Sequence, residues 1–106
     1  MESFDVRIVF LIKLLLSPLA YAETCRVLID GTGCSTRQQA IERIFEKLPE
    51  VEGVTILPRR DAPKNNQRYF VIETAGEAPS KERLVEALGR RAKFYIILSV
   101  EPLPHE

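Results

Sequence analysis

The chain has 106 residues, zero net charge and an apolar fraction of 45%. That length suits one domain and leaves no room for a second core. The charge balance gives no electrostatic basis for binding nucleic acid or an anionic membrane.

The first segment in chain order is an apolar leader. "RIVFLIKLLLSPLAYA" follows two acids, Glu2 and Asp5, and ends in Ala20-Tyr21-Ala22. That ending is the small-x-small pattern of a signal-peptidase site. With Lys13 as the end of the charged region, "LLLSPLA" becomes the short apolar region of a signal peptide over residues 1–22. The run is shorter than the ~20 apolar residues of a membrane span, so no permanent membrane anchor is expected. Cleavage after Ala22 would deliver the chain to the periplasm or the extracellular space. Glu2, Asp5, Arg7 and Lys13 would leave with it, so the remainder is also neutral.

Export places Cys25 and Cys34 where disulfides form. The pattern separates them. "TCRVLID" alternates, with Cys25, Val27 and Ile29 in one phase, and reads as a strand. From Cys25 to Asp30 such a strand spans roughly 16 Å. A disulfide needs Cα atoms within about 7 Å, so the two are not expected to pair within one chain.

"STRQQAIERIFEKL" reads as a helix with Ile41, Ile44, Phe45 and Leu48 on its buried side. Ser35 and Gln38 stand at capping-box spacing, and Pro49 ends the element. A turn at Glu52-Gly53 leads to a second strand, "GVTILPR". The polar loop "RDAPKNN" and a third strand, "QRYFVIET", follow. After the turn "AGEAP", "SKERLVEALGRR" reads as a second helix, capped by Ser80, with Leu84, Val85 and Leu88 inward. "KFYIILSV" is the fourth strand. "EPLPHE" reads as a proline-broken tail outside the sheet. The domain is thus expected over 23–101 and a flexible tail over 102–106.

The order is βαββαβ, with one apolar stripe on each helix. It predicts a ferredoxin-like α+β sandwich: a four-stranded antiparallel sheet with two helices on one face. Such a scaffold hosts many functions, so the residues on it decide.

The candidate site is "DGTGCSTRQQ", between the first strand and the first helix. Gly31 and Gly33 permit a tight turn. A helix N-terminus carries about half a positive charge and should lower the pKa of the Cys34 thiol. Arg37 lies one turn into the helix. Arg90, Arg91 and Lys93, before the last strand, are placed to share that end of the domain.

From Thr24 to Val100 the chain resembles the heavy-metal-associated domain family, which includes copper chaperones and periplasmic mercury-binding modules. The family's Gly-Met-Thr-Cys-x-x-Cys loop corresponds to Gly31-Thr32-Gly33-Cys34-Ser35-Thr36-Arg37. Gly53-Val54 matches the Gly-Val that opens the family's second strand, and Phe94 or Tyr95 matches its aromatic near the last strand. The resemblance implies an exported, non-enzymatic carrier of a soft metal ion, copper or mercury, with Cys34 as ligand. Gly31, Thr32, Gly33, Ser35 and Arg37 would form the loop around it, and Lys93 and Phe94 would lend charge and packing. The pattern departs from the family where Arg37 replaces the second cysteine and Thr32 the methionine. Soft-metal selection rests on thiolates, and one thiolate beside an arginine is a poor cation site. A second chain carrying its own Cys34, or a protein partner, would have to complete it. His105, the only histidine, stands in the terminal tail.

Four readings of the loop stay open: a metal site shared between chains, a reactive or dimer-forming thiol, a turn kept for fold and protein recognition, and a phosphate cradle. The last is weakest, because the lysine of a P-loop is absent. An RNA-recognition reading rests on Tyr69 and Phe70 in the third strand, but the first strand has Leu28 where an aromatic is wanted, and no nucleic acid is expected. Arg37 with Asn65 or Asn66 does not reproduce an acylphosphatase motif, and no nucleophile has a nearby histidine, so no enzyme is expected. Glu42, Glu46, Glu82 and Glu86 read as solvated helix faces. Arg59, Arg60, Lys64 and Arg68 read as a solvated basic loop or a contact for an acidic protein.

Overall fold

The computed structural model describes residues 23–103; the leader and residues 104–106 lie outside them. Four strands are present: β1 (Glu23–Asp30), β2 (Val51–Ile56), β3 (Gln67–Thr74) and β4 (Ile96–Leu103). Helix α1 spans Ser35–Glu46 and α2 spans Lys81–Leu88. All pairings are antiparallel, and the sheet order is β2-β3-β1-β4. This is the ferredoxin-like βαββαβ arrangement.

The alternation along β1 decides which face is buried. Cys25, Val27 and Ile29 point into the core with Phe70, Ile72, Val54 and Ile97 from the neighbouring strands. Ile41 and Phe45 from α1 and Leu84 and Leu88 from α2 cover them. Phe45 meets Phe70 edge to face, with ring centroids 6.3 Å apart and planes at 80°. Such a pair adds about 0.5–1.5 kcal/mol beyond the area it buries. Ile44 and Leu48 are half-buried at the rim of this core.

Four expectations need correction. Val85 is 37% exposed and lies outside the stripe of α2, which runs through Leu84 and Leu88 alone. Residue 53 is in the second strand, not in a turn before it: β2 opens at Val51 and has a bulge between Val51 and Gly53. The fourth strand starts later than "KFYIILSV" suggests. Gly89 closes α2 at φ +59, a 3₁₀ turn runs Gly89–Lys93, and the N–H groups of Phe94 and Tyr95 both donate to the Arg91 carbonyl. That curl keeps Phe94 and Tyr95 out of the ladder. Finally, β4 includes Pro102 and Leu103, opposite Cys25 and Thr24. The proline is tolerated because β4 is an edge strand, where alternate N–H positions face away from the sheet.

The second face of the sheet carries no described helix. On it Leu28 lies opposite Tyr69, and Arg26 opposite Glu101. The Arg26 guanidinium stands 4.2 Å from the centroid of the Tyr69 ring and forms a 2.6 Å bond to Glu101. No helix among the described residues is long and apolar enough to cross a membrane.

Candidate functional site

β1 hands the chain to α1 through Gly31–Cys34, and the β2–β3 loop holds that passage from below. The Asn66 carbonyl accepts the N–H groups of both Gly31 and Thr32 at 2.8 Å. Asp30 Oδ1 accepts from Asn66 Nδ2 at 2.9 Å and Gln67 Nε2 at 3.1 Å. The Gly31 and Thr32 amides are thus taken up by the protein itself and are not free to hold a phosphate.

Thr32 is fully buried. Its hydroxyl donates to the Ile29 carbonyl at 2.8 Å, and its own carbonyl accepts from Gln38 Nε2 at 2.8 Å. All its polar groups have partners, so this side chain is a structural peg with nothing to offer a ligand.

The glycines answer to close backbone approach. Gly31 has φ +90, and a Cβ there would run into the Phe94 carbonyl oxygen. At Gly33 a Cβ would lie 2.9 Å from the Asn65 carbonyl oxygen. The first contact seats Phe94, in the turn after α2, against the loop, while Arg91 lines a groove beside Ala40, Arg43, Ile44 and Lys47 of α1 and its C-cap. Asn66 supports the loop through its backbone carbonyl and its side-chain amide, and Asn65 through the carbonyl that Gly33 approaches.

Ser35 does not cap the helix. It is the first helical residue, and Cys34 occupies the N-cap position at φ −111, ψ 137. The capping box fails because Gln38, which should reach back to the cap, instead binds the Thr32 carbonyl. The Cys34 carbonyl accepts the Gln38 N–H at 3.0 Å and starts the helical ladder.

Cys34 is exposed. Its thiol makes no formed cap bond, but the backbone N–H groups of Arg37 and Thr36 face the sulfur and favour the thiolate. With smaller help from the Thr36 hydroxyl and the Arg37 charge, they hold the thiol below its ordinary pKa. Cys25 is the opposite case. It is 1% exposed in the core, and burial pushes its thiol up. Both cysteines are free.

Phe94 is 64% exposed, and Lys93 Nζ lies 5.3 Å from its ring centroid. Among the described residues no group of three or more His, Cys, Asp or Glu side chains is placed to hold a metal ion. The role of Asn66 was not evident beforehand; the one signal for it was an Asn-Asn pair at a loop end, which marks a turn but names no partner.

No family model matches the chain, and no curated protein matches it. Among solved structures it is similar to a homoserine dehydrogenase from S. aureus, with 18% identity and a TM-score of 0.53. The match covers 100% of this chain but 24% of that one. At this identity the likeness speaks to the fold alone.

Proposed function

We propose that this chain is a small exported binding domain, not an enzyme, that works through Cys34 at the loop end. The observation that carries the reading is the state of the sulfur: exposed, at the start of α1, with backbone N–H groups favouring its thiolate. A single thiolate next to Arg37 does not make a closed soft-metal site, and Cys25 is buried in the core, unable to complete one. Copper(I) or mercury(II), as cargo, would therefore need a second ligand from another chain, such as a second copy's thiol or a partner's.

A second reading is protein recognition without metal. What favours it is Phe94, a large exposed aromatic beside the loop.

Native mass spectrometry of the reduced chain, loaded with Cu(I) or Hg(II), separates the two. A metal-bridged dimer that persists against a competing small thiol, and disappears in Cys34→Ser, supports the shared site. Equal, weak loading of both proteins rules out metal carriage and leaves recognition by the loop end.

A further inference from the structure

One groove on the flank of the domain is unrelated to Cys34. It measures about 220 Å³ and is lined by Ala40, Arg43, Ile44, Lys47 and Arg91. The first four are spaced i, i+3, i+4 and i+7, so they form one stripe along α1. Arg91 reaches in from the 3₁₀ turn after α2. Ala40 and Ile44 give a half-buried apolar floor, and three exposed cations stand around it.

The charge pattern there conflicts with the fold's own interest. Arg43 and Lys47 are like charges at i, i+4, an unfavourable pair on a helix. The negative end of the helix dipole partly offsets these two, because both lie at the C-terminal end of α1. Among the described residues, the ion pairs are Arg26–Glu101, Arg83–Glu50 and Arg83–Glu86, and none involves the three groove cations. The chain as a whole is neutral, so this is a local excess rather than a general one.

We propose that this groove binds a small organic phosphate, with the phosphate between Arg43, Lys47 and Arg91 and an apolar substituent over Ala40 and Ile44. Arginine presents a planar fork that matches phosphate oxygens, while lysine adds a point charge. The volume is below the usual 300–1,000 Å³ of drug-sized sites, which fits a compact ligand rather than a peptide helix. This inference goes beyond the thiol-based function and does not depend on it.

The test is an amide-resolved NMR titration of the full chain with phenyl phosphate, beside phenol and inorganic phosphate. Saturable shifts at residues 40–47 and at Arg91 are expected for phenyl phosphate, with weaker effects from either half alone. Arg91→Gln should weaken binding about tenfold, the effect of losing one charge-assisted contact. Lys64→Gln, in the other basic loop, should leave it unchanged, and circular dichroism should show both variants folded. Shifts centred on Arg59, Arg60 and Lys64, or unchanged affinity in folded Arg91→Gln, would overturn the proposal. So would phenol binding as tightly as phenyl phosphate, or a glutamate-rich peptide outcompeting it at the same residues, which would mark a protein-docking face instead.

Discussion

Replacing Gly31 by alanine tests the seat of the loop end. Two separate penalties act there. The residue has φ +90, and left-handed backbone disfavours an L side chain by about 1–2 kcal/mol. A Cβ would also strike the Phe94 carbonyl oxygen, which is backbone and has little freedom to withdraw. Overpacking of that kind adds about 1–3 kcal/mol. Together they give roughly 3 kcal/mol, a large share of the ~4–12 kcal/mol that a domain of roughly 80 residues commands. Two other glycines separate the penalties. Gly76 has no positive φ and open space around it, so Gly76→Ala should change stability little. Gly89 has φ +59 and open space, so Gly89→Ala should show backbone strain alone. In urea, with a slope near 1 kcal/mol per molar, Gly31→Ala should move the unfolding midpoint down by roughly 2–3 M. Gly89→Ala should fall between the other two. If Gly31→Ala moves the midpoint no more than Gly89→Ala, the contact with Phe94 is not close, and the argument that ties the two loops together fails.

Thr32→Val should destabilise by about 1–3 kcal/mol, because the buried Ile29 carbonyl loses its hydroxyl donor; urea titration measures it. At pH 7.5 an alkylating reagent should modify Cys34 faster in the folded chain than in urea, while Cys25 should react only after unfolding; peptide mass mapping reads both. Arg37→Gln should slow Cys34 only modestly, since backbone N–H groups outrank the side-chain charge in favouring the thiolate. The Arg83 hydrogen bonds hold the Glu50 carboxyl below its ordinary pKa. Its folded pKa is therefore depressed. The stability it contributes is present above the unfolded pKa near ~4.5 and fades as pH falls through the folded value. Glu50→Gln should flatten that part of the acid-unfolding curve, as followed by circular dichroism between neutral pH and pH 2.

The parts of the fold that were legible beforehand are those where side-chain period and burial agree. Cys25, Val27 and Ile29 alternate because one face of β1 meets the helices, and Ile41 and Phe45 recur with the helical turn. The misreadings came where a distant partner decided a local matter. Gln38 matched a capping box, yet the Thr32 carbonyl, sealed in the loop, claimed its side chain. Phe94 and Tyr95 have strand-forming side chains, but the Arg91 carbonyl bends them away from the sheet. Pro102 argued against a strand, and only knowledge that β4 lies at an edge reverses the argument. In the site, the lowered pKa of Cys34 was legible from its place before a helix, but its exposure was not. Nor was the job of Thr32, because a threonine beside a glycine gives no hint that its hydroxyl is turned inward.

The edge position of β4 has a further consequence for how the protein behaves in a crowd. An open strand edge is a template on which other chains stack, and one such edge here carries Ile96 and Leu98, both large and exposed. The strand breaks its own regularity twice. Its register against β1 shifts between Leu28 and Ile29, and Pro102 withholds an amide near its end. A neighbouring chain that began to pair there would meet a bent rail and then a missing rung. The proline near the end of β4 thus works against the pairing of a further strand along that edge.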